Sequence, residues 1–247
     1  FYIGLLVGFM RLVVVCTVGA SLLLNYARYA NVRVKKFLED IESLSADKFD
    51  EWVGMVYNEF LVSDPENVWK RSAELSSLRK ILEKEVDEDI REVELVFLIS
   101  NTKQGEFVCK VYERFFREYM TSYSGRRIKF RYDVIEGLTY EDLEHARRGL
   151  PILVSKLSTI IRNFMLPDNR VILNVTGGFK AECICAAVVG MLMNVPVYYL
   201  HEMFEDAIRI PLPSPAELSE YTKEDVDVLV HMIRNYYENI VRESKSL

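Results

Sequence analysis

Residues 11–23 read RLVVVCTVGASLL, and this stretch decides the fold. Leu12 to Cys16 form an unbroken apolar run rich in β-branched valine, which suits a strand covered on both faces, as strands of parallel sheets are. Gly19 then permits a sharp turn, and residues 20–30 (ASLLLNYARYA) open as a helix directly behind it. A strand over 11–16, a glycine turn and a helix make the first half of a βαβ unit. The competing reading is a membrane anchor, because residues 1–24 are almost wholly apolar and a spanning helix needs about 20 such residues. Arg11 in the middle of the run, and Thr17 and Gly19 in its second half, favour the strand. No signal-peptide cleavage pattern is evident. Met10 is a candidate start, with residues 1–9 then an extension.

Outward from this stretch the alternation continues. Residues 32–61 and 65–89 are charged, amphipathic and helical in period, anchored by Trp52 and Trp69, with a helix-start signal at Asp64-Pro65 between them. This block, about 32–90, exceeds what a crossover needs and is expected to be a helical insertion lying over the ligand pocket as a lid. Further strands are expected at 93–100 (VELVFLIS), 127–135 (RIKFRYDVI), 170–175 (RVILNV) and 196–201 (PVYYLH), with 207–211 pairing beside the last. Helices are expected at 105–122, at about 139–165 with Pro151 as a kink site, and at 179–193. Phe107, Tyr112, Phe115, Phe116 and Tyr119 share one face of their helix and read as core. The helix at 179–193 is apolar on almost every side and is expected to be deeply buried. A Pro-punctuated boundary (LPSPAE) precedes an amphipathic helix at 222–243. The fold class is therefore α/β: a Rossmann-like, mostly parallel sheet with helices on both faces, a helical insertion and a C-terminal helix. The domain expected over 10–211 is followed by a helical appendage over 212–247.

At 247 residues the chain can bury a large core. A formal charge of −6 argues against a surface that coats long nucleic acid, but a few local cations suffice for a few phosphates. Cys16, Cys109, Cys183 and Cys185 form no CxxC pair and read as reduced thiols of an intracellular, cytoplasmic protein. His145, His201 and His231 are scattered without zinc-ligand spacing, so no metal and no cofactor are called for.

Two strand-to-helix junctions carry chemistry. The first is Thr17-Val18-Gly19-Ala20-Ser21. The second lies in LNVTGGFKA (173–181), with Thr176, Gly177, Gly178, Phe179 and Lys180. Glycines let backbone approach a ligand closely, and a helix N-terminus offers free N–H groups and the positive end of a dipole. Phosphate is the natural guest, and Lys180 adds a full charge. A third polar junction, Ser100-Asn101-Thr102-Lys103-Gln104-Gly105, follows the second strand. None matches a Walker A loop or GxGxxG. On physics alone, ordinary tight turns with a solvated Lys180, and a plain N-capping loop at Thr102, remain open.

TVGASLL after the first strand and NVTGGFKA before an apolar helix together resemble the CRISPR-associated Rossmann-fold (CARF) proteins, above all the stand-alone ring nucleases. The family's first motif usually reads TVGTSLL, and Ala20 replaces its second threonine here; Ser21 and Lys180 persist. The resemblance covers roughly residues 10–211. It implies a homodimer that binds cyclic tetra-adenylate across its two-fold axis, with neither membrane nor long nucleic acid as partner. It further implies metal-independent cleavage to linear oligoadenylates with a 2′,3′-cyclic phosphate, which ends type III CRISPR antiviral signalling. Ser21 and Lys180 would be catalytic. Thr17, Val18, Gly19, Ala20, Ser100, Asn101, Thr102, Gly105, Thr176, Gly177, Gly178 and Phe179 would hold the ligand. A second basic contact is sought among Lys103, Arg126, Arg127 and Arg148. The alternative is a sensor that binds the ring without cutting it and regulates a partner. An unrelated mononucleotide or dinucleotide binder lacks the glycine fingerprint. An appended HEPN ribonuclease would need Arg followed four to six residues later by His, whereas Arg234 precedes NYYEN and His231 has no Arg suitably before it. A winged helix does not fit into the tail.

Overall fold

The computed structural model describes residues 10–139 and 143–211. Residues 1–9 and the helix expected at 222–243 lie outside the described residues. The chain divides into two compact units, Phe1–Ile210 and Pro211–Leu247. In the first unit the elements run β1 (Met10–Thr17), α1 (Ser21–Tyr29), α2 (Val34–Ser43), α3 (Ala46–Met55) with a π-helical continuation over Val56–Leu61, and a short 3₁₀ turn (Val68–Lys70). Then come α4 (Ala73–Glu85), β2 (Ile90–Ser100), α5 (Lys103–Arg114) with a second π-helical end (Phe115–Tyr119), β3 (Ser122–Tyr123), β4 (Arg126–Ile135) and α6 (Leu143–Phe164). The unit closes with β5 (Asn169–Asn174), α7 (Lys180–Leu192), β6 (Val197–Tyr199) and β7 (Ile208–Arg209).

The sheet order is β3-β4-β2-β1-β5-β6-β7. β4, β2, β1, β5 and β6 are parallel; β3 and β7 add antiparallel edges on β4 and β6. The parallel strands have the order of a Rossmann sheet, and the direction of winding reverses between β1 and β5. That reversal point lies at the carboxyl ends of the two strands that carry the glycine turns.

Side chains alternate across the sheet. Leu12, Val14 and Cys16 of β1 and Val93, Leu95, Phe97 and Ile99 of β2 join one buried cluster with residues of α1 to α5. Val13 and Val15 are equally buried outside that cluster, as are Leu157 and Ile161 of α6 and Val189 of α7. Burial of this kind stabilises by roughly 1.5–3 kcal/mol per large aliphatic side chain. Arg11, the charge that spoiled a membrane reading, sits in β1 with its guanidinium on Glu92 (2.9 Å) and Glu94 (3.0 Å). No helix among the described residues is long and apolar enough to cross a membrane.

Three expectations are refined. The helical insertion is built into the core, with Phe37, Ile41, Phe49 and Val53 all buried in the main cluster. α4 starts at Ala73, capped by Ser72, eight residues after Pro65, because Ser72 accepts from the Leu75 N–H at 3.1 Å. α7 is not deeply buried. Glu182, Ala186, Val189 and Gly190 face inward, while Ile184, Val188 and Leu192 are 64%, 45% and 60% exposed. These three lie four residues apart, so they form one apolar stripe.

Candidate functional site

The turns after β1 and β5 meet backbone to backbone. A Cβ on Gly19 would stand 2.7 Å from the Gly178 nitrogen, a contact only glycine allows. Gly178 itself has φ of +100°, in the region that favours glycine. Thr17, buried at the end of β1, donates its hydroxyl to the Gly177 carbonyl at 2.5 Å. The end of β1 is thereby tied to the turn after β5.

The first turn closes on a side chain that sequence reasoning missed. Glu74, in the first turn of α4, is 0% exposed. Its carboxylate accepts from the Gly19 N–H at 2.8 Å, from the Ser21 hydroxyl at 2.5 Å and from the Tyr112 hydroxyl at 3.1 Å. Three donors converging on two oxygens match the ionised, acceptor-only form. The Tyr112 oxygen in turn accepts from the Ser72 hydroxyl at 2.7 Å. Burial, and then the charge of Glu74, push the Tyr112 hydroxyl well above its usual range, so it remains a donor. Ser21 Oγ in turn accepts from the Ala73 N–H at 3.0 Å. Nothing in the sequence singles out Glu74, because it is one glutamate in a charged helical block. The one signal was the aromatic face of α5, read correctly as core for Phe107, Tyr112, Phe115 and Phe116.

The second turn is braced from its own helix. Glu182, three residues into the helix that follows Phe179, accepts from the Phe179 N–H at 3.0 Å, as the third residue of a capping box does. A Cβ on Gly178 would stand 2.5 Å from Glu182 Oε2. Burial pushes the Glu182 carboxyl up to about 7. Thr176 Oγ1 accepts from the Leu200 N–H at 3.0 Å, which ties the turn to the end of β6. Lys180, the first residue of α7, is exposed, and its ammonium has no partner among the described residues.

Two cavities flank the joined turns. One, of about 670 Å³, is lined by Val18, Gly19, Ala20, Ser100, Asn101, Thr102, Gly105, Gly178 and Phe179, with Glu42 of α2 at its rim. Thr102 caps α5 by accepting from the Gly105 N–H at 3.0 Å, and Ser100 Oγ lies 2.9 Å from Thr102 Oγ1. The other, of about 740 Å³, contains Ser21 and Thr176 with Arg28, Lys70, Arg79, Lys80 and His201. Thr17, Gly177 and Lys180 line neither. Most of the residues singled out from sequence thus surround one cavity, while Ser21 turns toward the other.

Of the four basic candidates, Lys103 reaches the first cavity. Its ammonium is held by the carbonyls of Glu42 (3.0 Å) and Leu44 (2.5 Å). Arg126 binds backbone carbonyls of Asp87, Ile90 and Ser124, at the opposite edge of the sheet where β2 begins. Arg127 starts β4 at that same edge, and Arg148 pairs with Glu144 along α6.

Residues 69–213 match the family described as CRISPR-associated protein (Cas_APE2256), which is well over half of the chain. The matched stretch contains Glu74, Tyr112, the Ser100–Gly105 loop and the whole of NVTGGFKA. By that match the chain belongs to this CRISPR-associated family, in agreement with the likeness to CARF proteins carried by its two glycine turns.

Proposed function

We propose that two copies of this chain bind cyclic tetra-adenylate over their joined glycine turns and cut it without a metal, making the protein a ring nuclease. The observation that carries this reading is the packing of Gly19 on Gly178, which sets the beginnings of α1 and α7 side by side at the reversal point of the sheet. Those two beginnings carry Ser21 and Lys180. The Lys180 ammonium, unpartnered among the described residues, would stabilise charge developing on the phosphoryl group and the leaving 5′-oxygen. Backbone N–H groups of Gly177 and Gly178 would help cradle the phosphate, and adenine would enter the 670 Å³ cavity between Ala20 and the Ser100–Gly105 loop. The ribose 2′-hydroxyl is the nucleophile, so the work of the protein is to hold it in line with the P–O5′ bond. The apolar stripe of Ile184, Val188 and Leu192, with Phe179 51% exposed near its start, supports a second copy as the occupant of that face.

Incubation with cyclic tetra-adenylate in EDTA, followed by chromatography, is expected to yield linear oligoadenylates ending in a 2′,3′-cyclic phosphate. An intact ring after long incubation at the organism's growth temperature overturns the enzymatic reading. Lys180→Ala is expected to abolish cleavage while weakening binding less. One observation favours the second reading, a sensor that binds without cutting: the Ser21 hydroxyl is already engaged by Glu74 and Ala73. Tight binding with no product would establish it.

A further inference from the structure

We infer that Glu74 is a positioning residue for the cleavage: it fixes the polarity of the Ser21 hydroxyl so that Ser21 meets the ribose 2′-OH as an acceptor. The inference rests on the ring-nuclease reading. A serine hydroxyl has one proton to donate and two lone pairs. The proton of Ser21 points to Glu74 Oε2 at 2.5 Å, and one lone pair takes the Ala73 N–H at 3.0 Å. What remains is one lone pair on a partly buried residue. Ser21 therefore cannot donate to a phosphate oxygen without abandoning a buried carboxylate, and leaving that carboxylate short of donors is costly. It can accept from an incoming hydroxyl at no such cost. Gly19 follows the same logic: its N–H is held by Glu74 Oε1 at 2.8 Å and is withdrawn from any phosphate cradle. The phosphate contacts then fall to the turn after β5 and to Lys180.

The same arrangement gives the proton a route. As the 2′-oxygen bonds to phosphorus and the P–O5′ bond breaks, the 2′-OH proton passes to Ser21 Oγ while the proton of Ser21 moves to Glu74. The leaving 5′-oxygen takes a proton from the Lys180 ammonium. Exchange with water restores Glu74 and Lys180, so the step needs no oxidant, metal or cofactor. The Tyr112 hydroxyl and the Gly19 N–H remain on the carboxylate throughout and keep its orientation.

The test is single-turnover cleavage of cyclic tetra-adenylate together with equilibrium binding, for the wild type, Glu74→Gln, Glu74→Asp, Ser21→Ala and the double variant. Glu74→Gln keeps the shape but cannot take up the proton. It is expected to lose about 100-fold or more in rate, the scale of general-base catalysis, with affinity changed less than threefold. Glu74→Asp is expected to recover part of the rate. The double variant is expected to be no slower than Ser21→Ala alone, because the two residues act as one unit. An unchanged rate in Glu74→Gln, or losses that multiply in the double variant, overturns the inference while leaving the ring-nuclease reading intact. Absence of cleavage by the wild type overturns the reading itself. If Glu74→Gln does not fold, Tyr112→Phe provides the second route. Removing one donor from Glu74 is expected to lower the rate several-fold at unchanged affinity, and no change in rate counts against the inference.

Discussion

The turn that ends β1 is held from outside, and the turn that ends β5 is held from within its own helix. Glu74 reaches the first turn from α4, more than fifty residues away in sequence, and binds it through the Gly19 N–H and the Ser21 hydroxyl. Glu182 reaches the second from the helix that the turn itself begins, through the Phe179 N–H. The two carboxyls also differ chemically. Glu74 collects donors from three elements, and Glu182 is driven by burial toward its neutral form. The comparison teaches that the first turn depends on the tertiary fold, whereas the second depends on local sequence. Only the second could have been read in advance.

The severest way to break the first clamp is Gly177→Ala. Its Cβ would lie 2.2 Å from Glu74 Oε1 and 2.7 Å from Glu74 Cδ, inside a site with no room to retreat. Overpacking combined with displacement of a buried charge is expected to cost about 3–5 kcal/mol in urea unfolding. A loss under about 1 kcal/mol would mean that the clamp is soft. The second clamp is sharpened by pH. Burial raises Glu182 from 4.5 to about 7, so the native state binds the proton more tightly than the unfolded chain. That contribution is fully present below pH 4.5 and is lost as pH rises through about 7. At 1.36 kcal/mol per unit, unfolding free energies measured across this window should show a decline of about 3 kcal/mol. Glu182→Gln should flatten it, and an unchanged slope would assign the decline to other groups.

Smaller effects test the supports. Thr102→Ala removes the hydroxyl that caps α5 and is expected to cost about 1 kcal/mol by thermal unfolding. The smallest change in chain stability is expected from Ile184→Glu together with Leu192→Lys on the exposed stripe of α7, within about 0.5 kcal/mol each. The same pair should nevertheless convert a dimer to a monomer in light scattering. A monomeric wild type would remove the support that the stripe lends to the two-copy site.

Much of the fold was legible because its signals are local. The valine run of β1, the alternation of β4 and the glycine turns each mark an element within a dozen residues. β3 is two residues long, too short to leave a pattern, whereas β7, equally short, falls inside the 207–211 stretch expected to pair beside the last parallel strand. α7 was misjudged because an apolar helix has two ways to leave water: the core of its own chain, or a neighbour, and sequence does not separate them. The candidate site was half legible. NVTGGFKA announces backbone geometry and a cation, and the structure sets that turn against the one bearing Ser21. What the hydroxyl of Ser21 faces was hidden, since Glu74 differs in no sequence-visible way from Glu83 or Glu85 of the same helix, which serve ion pairs at its far end.

Each glycine of the Gly177–Gly178 pair excludes a methyl group because a different carboxyl occupies that space. Four positions, two glycines and two glutamates, are consequently interlocked like tenons cut for their own mortises. Drift during divergence should find them nearly immovable one at a time. In an alignment of relatives, Gly177 should vary only where Glu74 has also shortened, whereas Gly178, held at a φ of +100°, should stay glycine even where Glu182 has changed.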